Sequence, residues 1–145
     1  MKNEIMCVAE DGFRPVRKHL TDAGADLRAD IEEPVTLAVG ESAWFPTGVR
    51  VCIPEGHFGL QAARSGLGCK HGITLANSIG VIDSGFRGEI KAKLVNLGDE
   101  PYTVNPGDRV SQLVIVPYVP AVYVQVDALP DSDRGEDGYG STGVE

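Results

Sequence analysis

The chain has 145 residues, of which 42% are hydrophobic, and this is enough for one domain with a core that needs no disulfide or metal. Its 21 acidic and 13 basic residues give a net charge of −8, which argues against binding to nucleic acid or to an anionic membrane. No run of about 18 apolar residues and no apolar secretory core occurs, so we expect a cytoplasmic protein. Three widely spaced cysteines predict small, mostly buried thiols.

The first half of the chain predicts short strands joined by turns. Residues 4–8 can form an opening strand, and residues 22–29 predict a turn followed by a strand, with Asp26 as the notable carboxylate. Between residues 34 and 62, β-branched or aromatic residues alternate with polar ones, and Gly or Pro interrupts them every several residues. This pattern is typical of a β-sandwich or barrel and not of an α/β fold.

One short helix is predicted at residues 64–71, where Ser65 is placed to cap its start and Gly72 to end it. A serine and a glycine at a helix N-terminus can also present N–H groups to a phosphate. Ordinary capping is the commoner use of such residues, so both interpretations stay open at this point.

Two alternating apolar runs, residues 80–82 and 90–95, flank a short Ser-Gly link and predict a β-hairpin. Asp83 stands where the first run ends, and Phe86 follows the turn. Taken alone, an Asp in this place most often caps a turn through its side chain. The cation Arg87 follows Phe86 directly. A plain turn does not need a carboxylate, an aromatic ring and a cation so close together.

The C-terminal part of the barrel is predicted as strands and turns. Residues 101–104 predict a short strand, and residues 105–108 predict a tight turn. The apolar run at residues 109–126 contains Pro117 and Pro120, which favour a bent strand followed by a second strand over a helix. Such a run also suits a subunit interface, although core packing explains it equally well.

Past Leu129 the chain becomes polar and rich in glycine, so it cannot supply a normal core element. We expect one β-domain at residues 1–129 and a mobile tail at residues 130–145, which is a disordered acidic tail unless it binds a nucleotide. In this tail, Arg134 can hold a terminal phosphate and Tyr139 can cover a base. The residues whose N–H groups can line phosphate oxygens are Gly140, Ser141 and Thr142.

Five short motifs occur along most of the chain. They are AGADLRA at residues 23–29, ARSGLG at 63–68, GVIDSGFRGE at 80–89, PGDRVSQL at 106–113 and RGEDGYGSTG at 134–143. With these motifs in this order, the chain resembles the homotrimeric dUTP pyrophosphatases (dUTPases). Each motif alone is weak, but five in order make a coincidence improbable.

The resemblance implies an all-β fold, a jelly-roll-like β-barrel with one short helix at residues 1–129 and a flexible C-terminal tail that acts as a lid at residues 130–145. It also implies a homotrimer whose subunits share active sites. The implied reaction is Mg²⁺-assisted hydrolysis of dUTP to dUMP and pyrophosphate, which limits uracil incorporation into DNA and supplies dUMP for dTTP synthesis. Asp83 would activate the attacking water and touch the sugar 3′-hydroxyl. The substrate phosphates would supply most of the Mg²⁺ coordination. Asp26 would act through water, and Asp108 would lie near the water shell of the metal or near the subunit interface.

The resemblance also assigns residues to the parts of dUTP. Phe86 would pack on the deoxyribose and exclude a 2′-hydroxyl, and Tyr139 would stack over the base. Arg64 would brace the site across subunits, and Lys93 belongs to the substrate-binding set. Uracil would be contacted by Asn77 and by the backbone of Gly80, Val81 and Ile82. The phosphates would be held by Ser65, Gly66, Gln112, Arg134, Gly140, Ser141 and Thr142.

Three positions depart from the family pattern without removing a group that the chemistry needs. Phe86 stands where the family usually has Tyr, Ala63 replaces a usual Pro, and Tyr139 replaces a usual Phe. The nearest alternative is a dCTP deaminase, but the glutamate that such an enzyme needs would fall in the KAK stretch at residues 91–93. A nucleotide-sensing module that binds a regulatory protein is an alternative of another class, for which the sequence contains no partner motif.

Overall fold

The computed structural model describes residues 4–136, which form a β-protein with one short helix, as the alternating sequence predicts. The helix α1 spans Ser65–His71. The strands are β1 (Met6–Val8), β2 (Ala25–Arg28), β3 (Val35–Leu37), β4 (Ser42–Pro46), β5 (Arg50–Cys52), β6 (His57–Ala62), β7 (Ile73–Leu75), β8 (Gly80–Ile82), β9 (Lys91–Asn96), β10 (Tyr102–Val104) and β11 (Arg109–Pro117).

Two antiparallel sheets and two strand pairs make up the barrel. One sheet has the order β2-β11-β6-β8 and the other the order β4-β9-β7, while β1 pairs with β5 and β10 pairs with β3. The longest strand, β11, lies between β2 and β6 and therefore joins two of the sequence motifs in one sheet. The strand β8 forms the edge of its sheet.

The prediction of a hairpin from residues 80–82 and 90–95 is wrong. Strand β8 pairs with β6, whereas β9 pairs with β4 and β7. The loop between β8 and β9 therefore passes from one sheet to the other. Alternation and a Ser-Gly link do not distinguish a hairpin from such a crossing, because both need the same turn residues.

Apolar residues at alternate strand positions fill two core clusters. The first includes the fully buried Phe45 and Ile73, next to Leu94, which is 1% exposed. The second includes Leu27 and Leu113 from the β2-β11-β6-β8 sheet. Burial of each such side chain contributes about 1.5–3 kcal/mol to folding, so the barrel does not depend on covalent cross-links.

The ends of α1 agree only partly with the sequence prediction. The N-cap residue is Arg64, with extended backbone (φ −88°, ψ 133°) and no side-chain cap bond, while Ser65 is the first helical residue. The prediction of Ser65 as the cap is therefore wrong. Gly72 ends the helix as predicted, since its φ of 67° lies in the left-handed region that glycine tolerates best.

Two further expectations are wrong. Cys69 is exposed and Cys7 and Cys52 are only half-buried, so the thiols are not mostly buried. No second strand follows β11 in the described part of the chain, and the apolar segment 118–129 is exposed along its length. Of the helical structure within residues 4–136, nothing is both long and apolar enough to cross a membrane.

Candidate active site

A cavity of about 400 Å³ opens where β8 meets the loop of residues 83–89. We call this cavity the β8 pocket. Asp83 is exposed at the end of the strand, and Phe86 is 44% exposed. The predicted site residues that line the pocket are Asn77, Gly80, Val81, Ile82, Asp83 and Phe86. The structure thus brings together the residues that the resemblance assigns to uracil, sugar and water.

Hydrogen bonds hold the loop after β8 in a defined shape. The N–H of Phe86 donates to the carbonyl of Asp83 at 3.0 Å, and Arg87 Nη1 donates to the carbonyls of Ser84 and Phe86 at 2.6 and 2.9 Å. The ring of Phe86 lies over Gly88, where a Cβ would approach the ring Cζ to 2.5 Å. These contacts fix the backbone of the loop that carries Asp83 and Phe86, both of which line the β8 pocket.

The other end of the loop is attached to the turn between β4 and β5. Glu89 Oε1 accepts hydrogen bonds from the N–H groups of Thr47 and Gly48, at 3.1 and 2.9 Å. The N–H of Ile90 donates to the carbonyl of Val49 at 2.8 Å. Because both ends are anchored, the loop has little freedom to move as a whole.

A buried polar side chain, Gln61, lines the β8 pocket and is bonded to a second buried polar residue behind it. Gln61 is 4% exposed, and its Nε2 donates to Oγ of the fully buried Ser111 at 3.0 Å. Gly80 lies opposite Gln61 in the β6-β8 register, and a Cβ at Gly80 would approach Gln61 Oε1 to 2.9 Å. Glycine at position 80 therefore allows β8 to lie close to this amide.

A second cavity, of about 350 Å³, lies between the start of α1 and the strands β2 and β11. We call it the β11 pocket. Gln112 Nε2 donates to the carbonyl of Ala63 at 2.9 Å, which holds the Gln112 side chain against the segment leading into α1. The predicted site residues that line this pocket are Asp26, Arg64, Ser65 and Gln112, and Lys18, Asp22, Ala23, Gly24 and Arg109 complete it.

Asp26 is the centre of charge pairing in the β11 pocket. Its Oδ1 accepts a hydrogen bond from Arg64 Nε at 2.6 Å, and its Oδ2 accepts one from Arg109 Nη1 at 3.2 Å. Together with Lys18, the pocket has three cations against the two carboxylates of Asp22 and Asp26. An excess of positive charge suits an anion such as a phosphate, even though the whole chain is acidic.

A tyrosine next to this pocket has a shifted pKa. Tyr102 packs against the ring of His71, with centroids 4.9 Å apart. Burial, and then the negative charge of Asp108, raise the pKa of Tyr102 above its ordinary 10.0, while Arg64 acts in the opposite direction. The phenol therefore stays neutral at physiological pH.

Other predicted site residues lie apart from both pockets or outside the described residues. Lys93 lies on β9 with its Nζ over the ring of Trp44, and the carboxylate of Asp108 accepts a hydrogen bond from the N–H of Asn105 at 2.8 Å. Gly66 is exposed beside Ser65 in α1, and Arg134 lies in a turn near the end of the described chain. The predicted residues outside residues 4–136 are Tyr139, Gly140, Ser141 and Thr142.

Several lining residues were not predicted from the sequence. Arg109 lies in the PGDRVSQL motif and Glu89 ends the GVIDSGFRGE motif, so both had a local signal. Gln61 had only the weak signal of an amide in an apolar strand. The unpredicted residues of the β8 pocket are Trp44, Gln61, Glu89, Ile90 and Lys91.

Comparisons with known proteins agree with this architecture. The dUTPase family model matches residues 12–143. A deoxyuridine 5′-triphosphate nucleotidohydrolase of Leifsonia xyli subsp. xyli is 48% identical over 130 residues, covering 89% of this chain and 84% of the relative. One of Bifidobacterium longum is 45% identical over 145 residues, covering 97% of this chain and 90% of the relative.

A solved structure has the same fold. The dUTPase of Staphylococcus bacteriophage 80alpha with dUpNHpp superposes with a TM-score of 0.87 at 31% identity, covering 98% of this chain and 99% of that one. The fold is thus that of a dUTPase-like β-barrel. The match over most of the chain, together with the curated relatives, shows that the chain belongs to the dUTPase family.

Proposed function

We propose that the protein hydrolyses dUTP to dUMP and pyrophosphate. The observation that carries this proposal is the exposed Asp83, which lines the β8 pocket together with Phe86. In this reaction a bond forms between the water oxygen and the α-phosphorus, and the bond from that phosphorus to its bridging oxygen breaks. Asp83 orients the water and accepts its proton, and pyrophosphate leaves.

The free edge of β8 is suited to recognition of uracil. Among the described strands, β8 pairs only with β6, so one row of its backbone N–H and C=O groups faces away from the sheet. These groups, from Gly80 to Ile82, can pair with the donor and acceptors of uracil, with Asn77 beside them. Cytosine presents the opposite polarity at its pairing edge, and Phe86 leaves no space for a ribose 2′-hydroxyl.

The positive β11 pocket is suited to the phosphates. Arg64, Ser65 and Gln112 line it, and Gly66 lies next to Ser65. The described residues contain no cluster of three metal-ligating side chains, and the Asp26 carboxylate is bound by two arginines. We place a Mg²⁺ ion mainly on the substrate phosphates and water, with Asp26 as an outer contact, because Mg²⁺ prefers oxygen ligands and keeps several waters. When bound with the substrate, Mg²⁺ would neutralise charge on the triphosphate.

A homotrimer with shared sites accounts for the separation of the two pockets. Within the described chain the β8 and β11 pockets have no lining residue in common. We therefore place the β8 pocket of one subunit against the β11 pocket of another. The exposed apolar segment 118–129, with Val122 86% and Tyr123 95% exposed, would be covered by a neighbouring subunit.

The lid role of residues 130–145 follows from the family motif at their end. Tyr139 would cover the base and Arg134 would bind an outer phosphate. The remaining phosphate contacts would come from Gly140, Ser141 and Thr142. Deletion of residues 130–145 should remove most activity while the subunits remain assembled. Unchanged pyrophosphate release would contradict the lid role.

Pyrophosphate release from dUTP, dCTP, dTTP and UTP, measured side by side, tests the activity. We expect release from dUTP only. Ammonia from dCTP would instead indicate a deaminase, and no turnover with dUTP would refute the proposed hydrolysis.

Subunit mixing tests the shared site. Asp83→Asn and Gln112→Ala variants, each impaired alone, should recover about a quarter of the wild-type activity when co-expressed in equal amounts, because random assembly leaves that share of the sites intact. If each site lies within one chain, every site keeps a lesion and no activity returns.

A further inference from the structure

Trp44 is a large apolar side chain that is mostly exposed within the described chain. It is the only tryptophan of the sequence, and it is 62% exposed. Its neighbour Phe45 is fully buried, and successive residues of a strand point to opposite faces, so Trp44 must point away from the core. Tryptophan is enriched at binding interfaces because the indole combines a large apolar area with an N–H donor.

The position of Trp44 links it to the candidate active site. It lines the β8 pocket together with Asn77, Asp83 and Phe86. The indole therefore shares a cavity with the residues assigned to the base, the water and the sugar. The charged groups suited to phosphates, Arg64 among them, line the other pocket. An apolar aromatic surface in this place fits the base or the sugar rather than the triphosphate.

Lys93 holds the indole from the neighbouring strand. Trp44 and Lys93 lie opposite each other in the β4-β9 register, so their side chains share one face of the sheet. Lys93 Nζ lies 5.7 Å from the ring centroid, which is within the range of a cation–π interaction. Lys93 itself does not line the β8 pocket. Lys93 instead contacts the ring of Trp44, which lines the pocket.

We propose that Trp44 is a substrate-binding residue that contacts the nucleoside part of dUTP, and that Lys93 is a positioning residue that orients the indole. This inference rests on the proposed dUTP hydrolysis. It replaces the direct substrate contact that the sequence analysis assigned to Lys93. It also predicts that binding of the nucleoside changes the environment of the single tryptophan.

Binding of dUMP and of pyrophosphate, measured by calorimetry and by tryptophan fluorescence on the full chain, tests the role of Trp44. We expect dUMP to shift the emission of the wild-type protein and to protect it from acrylamide quenching. Trp44→Leu should weaken dUMP binding at least about fivefold and leave pyrophosphate binding unchanged, while Trp44→Phe should keep most of the affinity. Leu97→Ala, which changes another exposed apolar residue outside the pocket, should bind dUMP like the wild type.

Lys93 variants test the positioning role. Lys93→Met should increase acrylamide quenching of the ligand-free protein and raise KM for dUTP with little change in kcat, and Lys93→Arg should restore both values because it keeps the cation. Equal quenching in all three proteins would overturn this role.

Three outcomes would overturn the role of Trp44. They are unchanged dUMP affinity in Trp44→Leu, an equal loss of pyrophosphate affinity, and loss of the trimer in that variant, which would show that the indole packs between subunits. A different result refutes the proposed dUTP hydrolysis itself: the wild-type protein would release no pyrophosphate from dUTP.

Discussion

Gly88→Ala should alter sugar selection without unfolding the barrel. A Cβ at position 88 would lie 2.5 Å from Cζ and 2.8 Å from Cε2 of Phe86. Carbon atoms normally pack at about 3.5–4.0 Å, so the ring must move by roughly 1 Å. Phe86 is 44% exposed and can move outward, which is why we expect the free energy of unfolding to change by less than about 1 kcal/mol.

The displaced ring should no longer exclude a 2′-hydroxyl. In a pocket that discriminates by shape alone, one small group on the substrate typically changes the ratio of kcat/KM values about ten- to two-hundredfold. We therefore expect the ratio of kcat/KM for UTP to that for dUTP to rise about tenfold or more in Gly88→Ala. Pyrophosphate release with each nucleotide measures this ratio, and chemical denaturation measures the stability.

Gly85→Ala is a matched control in the same loop. It adds the same methyl group and the same backbone restriction, but a Cβ at position 85 would have no atom within 4 Å. The control should keep the wild-type ratio. If Gly88→Ala also keeps it, or if both variants change it equally, the position of the Phe86 ring does not determine the choice of sugar.

Three further predictions concern single charged or titrating groups. Asp83→Asn should lower turnover by on the order of 10²–10⁴ while binding of a non-hydrolysable dUTP analogue persists, and near wild-type turnover would exclude Asp83 as the base. Asp26→Asn should lower the free energy of unfolding by about 1 kcal/mol because two arginines lose a charged partner, whereas Asp11→Asn, at an exposed position, should not. Burial and then Asp108 raise the pKa of Tyr102 above 10.0, so its contribution to stability is complete below pH 10 and is lost as pH rises through the folded pKa. Thermal unfolding across this alkaline range should show a smaller loss in Tyr102→Phe, and identical pH curves would contradict the assignment.

The sequence predicts the strands better than their partners. Alternation of apolar and polar residues identifies β2, β6 and β9 because one face of each must be buried. It does not say that β8 pairs with β6, since register and partner depend on the packing of distant residues such as Gly59 and Ile82. The exposed segment 118–129 has the composition of a strand, but it pairs with no strand within the described chain.

The candidate site, like the fold, is only partly predictable from the sequence. The carboxylate of Asp83 and the amide of Gln112 lie in dense local motifs, so their chemistry is visible in the sequence. The pairing of Asp26 with Arg109 and of Gln61 with Ser111 joins residues 83 and 50 positions apart. Spacing along the chain contains no information about such contacts, because the sheet order creates them.

The position of Asp83 depends on the core rather than on a hairpin. Ile82 and Ile90 flank the loop of residues 83–89, and both belong to the same buried cluster as Val49. Thr47 Oγ1 also donates to the carbonyl of Ile90 at 2.6 Å. Both ends of this seven-residue loop are thus anchored in one core cluster. Because the loop is short and anchored, its backbone has little conformational entropy to lose when substrate binds. Because this anchoring does not require β8 and β9 to pair, the outer edge of β8 stays unpaired among residues 4–136, as the proposed recognition of uracil requires.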